Sequence, residues 1–394
     1  HMLKKKIVAA VLAAAVAFTG ITAFHLTKNT GKAETVEAAE TASSADNEVH
    51  GVWLSVYDYT DKNIGLSTDD EATFRKNAQD FLTDLKDYDL NTVYMQVRSN
   101  DDAAWKSKTF HALKEISPSV TALAKAGKNT KSAYNTLKFD PLQIMVEEAH
   151  KQNIKLIAWM NPYRVDTNYF LNPGAASSRD RIVKAVKEVM KYDVDGVIFD
   201  DYFYHAKKGY QNVARNNQVT LTASAAAKIS QKNKATNVNK LVKRVYKDVH
   251  KANPDATFGI APQGNLTNDK ASGADVTTWV SQEGYVDYVM PQLYWTNDYG
   301  KKGGTAMFTQ RLEQFTSPSF DKLGKVKYIA LALYRCGQNI ATDYGWAHYS
   351  GNLADSYEEL KEDGCNGYSL FSAKYLYDDY AADELGFLNE ALGE

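Results

Sequence analysis

The fold is decided by one stretch of sequence, FDPLQIMVEEAHKQNIKLIAWMNPYRV at residues 139–165. Its first half is a helical pattern, and its second half, IKLIAWM at residues 154–160, is a nearly continuous apolar run. Runs of this kind are typical of strands that are buried on both faces of a parallel sheet. The polar residues NPYR follow at the end of the run, so the stretch reads as one helix, one strand and one polar loop.

The same alternation of short apolar runs and longer helical patterns extends from residue 50 to the end of the chain. Strands are predicted at residues 51–57, 92–97, 154–160, 196–200, 257–261, 286–293, 327–333 and 367–371. Helices are predicted at residues 74–88, 141–152, 179–192, 238–252, 307–315, 353–363 and 383–392. Eight units over roughly 340 residues predict an α/β fold of the (β/α)8 TIM-barrel type. A dinucleotide-binding fold is disfavoured, because no glycine-rich phosphate loop follows the first strand.

The chain before the barrel is predicted to direct export. His1 and Met2 resemble the remnant of an expression tag, and three lysines then lead into the apolar run at residues 7–24. Residues 1–26 are therefore predicted to hold a signal peptide or a membrane anchor, with cleavage and retention both open. Either outcome places the later residues outside the cytoplasmic membrane, extracellular or in the cell envelope. Residues 27–49 are predicted to be a disordered linker, and residues 50–394 the barrel domain.

The composition of the chain argues against a nucleic-acid partner, a metal or other cofactor, and a disulfide bond. A formal net charge of −2 provides no broad basic field, which disfavours nucleic acid as a partner. None of the eight histidines falls in a recognisable ligand pair, so neither a metal nor another cofactor is predicted. Cys336 follows the seventh predicted strand and Cys365 precedes the eighth. These positions lie at opposite ends of the barrel, so the two cysteines are predicted to be unbonded.

Candidate site residues collect where the predicted strands end, because the reacting groups of such a barrel lie in the loops that follow its strands. They are Arg98 after the second strand, Asn161 and Arg164 after the third, Asp200, Asp201, Tyr202 and Tyr204 after the fourth, and Gln292, Tyr294 and Trp295 after the sixth. The acidic pair is the focal point, since it places charge at the mouth of an apolar barrel. Adjacent strand residues point to opposite sides, so Asp200 and Asp201 face one substrate only if the strand ends or bulges there.

Several segments resemble the glycosyl hydrolase-like 10 family, in the family's order along the chain. They are VYMQVRSNDDA at residues 93–103, the stretch at 139–165, DGVIFDDYFYH at 195–205, FGIAPQGN at 258–265 and VDYVMPQLYW at 286–295. The resemblance implies an exported barrel glycosidase that cleaves glycan, including peptidoglycan. It also implies a pocket lined by Arg98, Asn161, Arg164, Asp200, Asp201, Tyr202, Gln292 and Trp295. Two residues near the fifth strand, Gln263 and Asn265, depart from the family's pattern, and their subsite is expected to differ. His205 is a separate departure, at a position where the family frequently has a proline.

Asp200 and Asp201 are the predicted catalytic residues, one of them a general acid whose pKa is raised by the apolar barrel and by its neighbour. Glycoside hydrolysis generally uses two carboxyl groups. Other acids lie only in predicted loops, at Asp58, Asp101, Asp102, Asp166, Asp298 and Asp343. An N-acetyl group of the sugar is an alternative nucleophile.

The predicted function is therefore an exported glycoside hydrolase or lytic glycosidase acting on a cell-wall glycan, with peptidoglycan strands as the expected substrate. The alternative is a non-catalytic glycan-binding barrel, because a fold does not determine a function. A metal-dependent deacetylase or phosphodiesterase is disfavoured by the absence of a histidine ligand pair.

Overall fold

The computed structural model describes residues 48–128, 135–200, 202–214 and 218–393. Eight parallel strands are hydrogen-bonded in the order β6-β5-β4-β3-β2-β1-β8-β7. They are β1 (Val49–Leu54), β2 (Thr92–Arg98), β3 (Lys155–Met160), β4 (Gly196–Phe199), β5 (Thr257–Ile260), β6 (Tyr288–Val289), β7 (Ile329–Leu331) and β8 (Gly367–Phe371). Parallel bridges from Val289 to Val326 and from Gln292 to Ala330 join the two ends of this order. The ring is closed, which confirms the predicted (β/α)8 barrel.

Two strands are much shorter than the sequence predicts. β6 has two residues and β7 has three, where the apolar runs extend over residues 286–293 and 327–333. Pro291 has no backbone N–H to donate, so the regular ladder of β6 stops before it. Beyond the ladder, the segment after β6 stays bonded to the β5 segment through two isolated hydrogen bonds. They run from Met290 N–H to Ile260 O at 2.9 Å and from Gln292 N–H to Pro262 O at 3.0 Å.

Helices cover the outside of the ring and lie in its loops. They are α1 (Glu71–Asp84), α2 (Pro118–Lys125), α3 (Pro141–Lys151), α4 (Ala176–Val189), α5 (Ala223–Ala227), α6 (Gln231–Ala252), α7 (Leu266–Ser272), α8 (Val276–Trp279), α9 (Met307–Thr316), α10 (Gly345–His348), α11 (Asn352–Glu362) and α12 (Ala382–Leu392). α6 begins seven residues before the prediction, because the Ser230 side chain accepts the Asn233 N–H and caps a polar first turn.

The loops after the early barrel strands carry further short elements. The residues between β2 and α3 contain a parallel pair, Asp102–Ala103 with His111–Ala112, and the helix α2. A second parallel pair, Tyr169–Leu171 with Gly209–Gln211, joins the loop after β3 to the loop after β4. The described parts of these loops therefore contain regular secondary structure after three successive barrel strands.

Other expectations concern the termini and the cysteines. Cys336 and Cys365 are both buried and free, as their places relative to β7 and β8 predicted. The predicted export segment at residues 1–26 and all but the last two residues of the predicted linker at 27–49 lie outside the described residues. Among the helices of the described ranges, none is long and apolar enough to cross a membrane.

The barrel interior is filled by large side chains that fit opposite glycine. The inward-facing set consists of Trp53, Tyr94, Ile157, Trp159, Ile198, Ala261, Tyr288, Met290 and Ala330. A Cβ atom built on Gly259 would lie 2.2 Å from Cζ of Tyr288, and one on Gly51 would lie 2.6 Å from Cε2 of Tyr94. Both distances are below van der Waals contact, so these two positions admit only glycine while the neighbouring rings keep their places.

We expect Gly259→Ala to lower the free energy of unfolding by about 1–3 kcal/mol, the usual cost of overpacking a core. Urea unfolding followed by circular dichroism measures the change. Gly386→Ala in α12 is the matched control, because nothing lies within 4 Å of its added Cβ and alanine favours a helix by about 0.5–1 kcal/mol. A Gly259→Ala protein as stable as the Gly386→Ala protein would contradict the packing described for the interior.

Candidate active site

A cavity of about 320 Å³ opens at the carboxyl ends of the barrel strands. Seven of the eight barrel strands, or the loops that follow them, contribute to its wall. The lining residues are Trp53, Ser55, Tyr57, Gln96, Trp159, Asn161, Arg164, Asp200, Tyr202, Gln292, Tyr294, Tyr334 and Phe371. This is the end of a TIM barrel at which active sites are found.

The floor of the cavity is aromatic. The ring centroids of Trp53 and Trp159 lie 4.9 Å apart with an interplanar angle of 81°, and those of Trp159 and Phe371 lie 6.2 Å apart. Tyr294 and Tyr334 stand beside Phe371, with centroids 6.2 and 5.9 Å from its ring. Edge contacts between rings hold each ring in one orientation. The result is a rigid apolar surface beneath a polar rim.

Asp200 provides a carboxylate directly above this floor, where only 7% of the residue is exposed. Its Oδ2 accepts hydrogen bonds from Asn161 Nδ2 at 2.6 Å and from Trp159 Nε1 at 3.1 Å. The side-chain oxygen of Asn161 accepts from Gln96 Nε2 at 2.7 Å, and Gln96 Oε1 accepts from the Val56 N–H at 2.9 Å. Because each amide has a partner at both ends, the Asn161 NH2 group must face the carboxylate.

Gln96 is a further site residue that is absent from the sequence-based prediction, because it lies inside β2 and the predicted site residues follow the strands. The signal was present in the sequence. Gln96 is the polar residue within TVYMQV, two positions after the inward-facing Tyr94. Since alternate strand residues share a face, an amide at that position must face the barrel interior.

Arg164 and Tyr202 form one side of the cavity rim. The Arg164 guanidinium lies over the Tyr202 ring, with its Cζ 5.9 Å from the ring centroid. Tyr202 has a φ of 68°, a left-handed conformation that residues other than glycine seldom adopt. Tyr202 lies three residues after the end of β4, and 41% of the residue is exposed at the rim. The Tyr202 ring is therefore held by Arg164 on one side and accessible to a ligand at the rim.

The structure brings together six of the ten predicted site residues on this cavity wall. They are Asn161, Arg164, Asp200, Tyr202, Gln292 and Tyr294. Arg98, Tyr204 and Trp295 are placed elsewhere, and Asp201 lies outside the described residues.

Arg98 lies beneath the loop that follows β3, with no exposed surface. Its Nη1 donates to the backbone oxygens of Asn161 at 2.8 Å and Pro162 at 3.0 Å. Its Nη2 donates to Asp101 at 2.7 Å, and the same carboxylate accepts two further hydrogen bonds from Arg181 of α4. From its place after the second predicted strand, Arg98 is predicted to contact substrate. The structure instead places it where it holds the backbone of Asn161.

Trp295 and Tyr204 also pack against the protein outside this cavity. Trp295 covers Gly264, where an added Cβ would lie 2.5 Å from the indole ring. The Arg311 guanidinium lies over the same ring, with its Cζ 5.4 Å from the ring centroid. Tyr204 is buried, and its hydroxyl accepts a hydrogen bond from Asn237 Nδ2 at 3.0 Å. Trp295 is thus a packing residue of the barrel rim, and Tyr204 belongs to a neighbouring cavity.

None of the six loop acids considered from the sequence lines this cavity. Asp58 directly follows the lining residue Tyr57 in sequence and is hydrogen-bonded to the lining residue Ser55. Burial raises the pKa of Asp58, whose oxygens accept hydrogen bonds from the Ser55 N–H and the Ser372 hydroxyl. Asp200 is therefore the carboxylate that the described part of the chain presents to the cavity. Within that same part, no group of three or more His, Cys, Asp or Glu side chains is arranged to hold a metal ion.

Comparison with models of protein families shows which family the chain belongs to. The model of the glycosyl hydrolase-like 10 family matches residues 48–168 and 164–348, which include nearly every strand of the barrel. The chain belongs to the glycosyl hydrolase-like 10 family. This confirms the resemblance drawn from the sequence motifs.

Two curated relatives are similar to this glycosyl hydrolase-like 10 protein over much of its length. Glycosyl hydrolase DigH of Escherichia coli K12 is 26% identical, over 90% of this chain and 89% of DigH. Glycosyl hydrolase YngK of Bacillus subtilis is 29% identical, over 64% of this chain. The chain spans 55% of the length of YngK.

Among solved structures, the glycoside hydrolase domain of PgaB (BpsB) from Bordetella bronchiseptica superposes with a TM-score of 0.53. The two share 12% sequence identity, and the match covers 86% of this chain and all but 1% of that domain. At this identity the likeness shows a shared fold.

We expect Arg98→Met to lower the free energy of unfolding by about 3 kcal/mol, because it removes one partner of a fully buried ion pair. Chemical denaturation measures the loss. Lys76→Met is the matched control, since Lys76 pairs with Asp80 on an exposed face of α1 and such a pair contributes at most about 1 kcal/mol. An Arg98→Met protein with normal stability that had lost only ligand binding would restore the substrate-contacting role predicted from the sequence.

Proposed function

We propose that this protein is an exported glycosidase that cleaves the glycan strands of the bacterial cell wall, with peptidoglycan strands freed of peptides as its substrate. The observation that carries the proposal is the Asp200 carboxylate, held by Asn161 and Trp159 over an aromatic floor. Membership of a glycosyl hydrolase-like family supports it, as does similarity to relatives named glycosyl hydrolases. Export rests on the apolar run at residues 7–24.

The cavity has the parts that a sugar ligand needs. Flat rings of Trp53, Trp159 and Phe371 offer an apolar surface to the face of a sugar ring. Asn161, Arg164 and Gln292 surround that surface with amide and guanidinium donors, which suit hydroxyl and carbonyl groups. The rings provide contact area, and the polar groups determine how the sugar lies on them.

The chemistry assigned to the aspartate pair is general acid catalysis. One of Asp200 and Asp201 donates a proton to the glycosidic oxygen as the bond from that oxygen to the anomeric carbon breaks. The carbonyl oxygen of the substrate's own N-acetyl group forms a bond to the anomeric carbon as the leaving group departs. Water then adds to the anomeric carbon, the bond from the acetamido oxygen to that carbon breaks, and the proton of the water returns to the aspartate that acted as the acid. The second carboxylate stabilises the positive charge of that intermediate. This assignment requires no second strand-end acid on the opposite side of the cavity.

We expect Asp200→Asn and Asp201→Asn each to leave the fold intact, and at least one of them to reduce cleavage by about 10²- to 10⁴-fold. An amide has nearly the size of a carboxyl group and can still form hydrogen bonds, but it cannot supply the proton or the negative charge. The measurement is the release of reducing ends and the analysis of products from peptide-free peptidoglycan strands, with thermal melting as a check of folding.

Asp255→Asn is the matched control. Asp255 is exposed in the turn before β5, at the opposite end of the barrel. The Asp255→Asn protein should therefore cleave the glycan strands at the parental rate. Full activity of both Asp200→Asn and Asp201→Asn would remove the pair from the mechanism. A well-folded parent that binds but cleaves no glycan would favour the non-catalytic binding function.

A further inference from the structure

A second cavity, of about 370 Å³, lies beside the first. Tyr202 contributes to the walls of both cavities, so the two are neighbours across its ring. Gln263, which follows β5, and His205, which follows β4, also line the second cavity. A glycan strand that occupies the first cavity therefore has a second one within reach along the same side of the barrel mouth.

The wall of the second cavity is partly aromatic, and two of its tyrosine hydroxyls are hydrogen-bonded within the protein. The Tyr204 hydroxyl is held by Asn237, and the Tyr210 hydroxyl donates to the His205 backbone oxygen at 2.9 Å. Alanine side chains of α5 line another side and leave the space between the rings open. A volume of this size is within the range of small-ligand pockets, roughly 300–1,000 Å³.

One cation lines this cavity, and three more lie near His205 on its wall. Lys234 of α6 is on its wall, with Nζ 5.6 Å from the centroid of the Tyr204 ring. Arg164, Lys207 and Lys208 stand around His205. Burial lowers the pKa of His205, and the charges of Lys208, Arg164 and Lys207 lower it further.

These cations have no acidic partner among the described residues. Lys234 Nζ donates to the Ala271 backbone oxygen at 3.1 Å, and Lys208 Nζ donates to a backbone oxygen, that of Thr167. Among the described residues, none of the four cations forms an ion pair; they are Lys234, Lys208, Arg164 and Lys207. The described lining of the cavity likewise contains no Asp or Glu. An ammonium group has three N–H donors, so Lys234 keeps two for a ligand.

We propose that the second cavity is a saccharide subsite in which Lys234 binds a carboxylate carried by the glycan, as on the lactyl group of an N-acetylmuramic acid residue. The inference rests on the proposed function, because it specifies which sugar the same cleft accepts. Tyr202, which is partly exposed, offers its ring to the sugar, and Lys234 with the cations near His205 attracts its carboxylate. A glycan built of N-acetylglucosamine alone lacks the group that this subsite binds.

The test measures binding rather than cleavage, so that it does not depend on catalysis. The full-length Asp200→Asn protein is titrated by calorimetry with a tetrasaccharide of alternating N-acetylglucosamine and N-acetylmuramic acid. The same tetrasaccharide with its carboxylates reduced to alcohols is the matched ligand. We expect the carboxylate form to bind about fivefold to tenfold more tightly, with a preference that shrinks as salt rises from 50 to 500 mM.

Adding Lys234→Gln should lower affinity for the carboxylate form to that for the reduced form, while the reduced form binds as before. Lys240→Gln, on an exposed position of the same helix, is the control and should change neither affinity. Equal affinities of the Asp200→Asn protein for the two ligands would overturn the inference, and so would an equal loss for both on adding Lys234→Gln. A carboxylate preference in binding, together with a parent that cleaves no strand, would uphold the subsite and reject the glycosidase.

Discussion

Eight strands that close into a ring must fill the space that they enclose, and the rest of this structure depends on how they fill it. Large aromatic side chains fit into the barrel interior where the neighbouring strand has a glycine. Gly259 leaves room for the Tyr288 ring, and Gly51 leaves room for the Tyr94 ring. Toward the carboxyl end the filling side chains are Trp53 and Trp159, and above them the interior is open. The floor of the cavity is thus the top layer of the barrel core.

The same alternation supplies the polar groups above that floor. Asp200 follows the inward-facing Ile198 by two positions, as Gln292 follows Met290. Residues two apart on a strand share a face, so a change from apolar to polar at the next inward position converts core into binding site. A carboxylate at this depth is costly unless donors satisfy it. The Asn161 and Trp159 donors fulfil that need and at the same time orient the carboxylate.

The loops on one side of the mouth act as a supporting layer. Asp101 joins Arg98 of β2 to Arg181 of α4, and Arg98 holds the backbone of Asn161. The position of the amide that contacts Asp200 therefore depends on the fully buried Arg98–Asp101 pair, which Arg181 joins from a partly exposed position. A buried network of this kind is satisfied only in one arrangement, which makes it suited to positioning a neighbouring site. The second cavity, beyond Tyr202, extends the same side of the mouth.

The sequence by itself determined the eightfold alternation, the family and the clustering of Asn161, Asp200 and Gln292, because strand periodicity and strand ends are local properties of the chain. Only the tertiary structure decided which polar residues reach the cavity. The pairing of β2 with β3 shifts register between Gln96 and Arg98. Arg98 is bonded to Asp101, and Asp101 is also bonded to Arg181 of α4, which lies 80 residues after it in sequence. Trp295 likewise packs over Gly264, which belongs to another loop. A side chain's direction at a strand end depends on such distant partners, and these are absent from any local pattern.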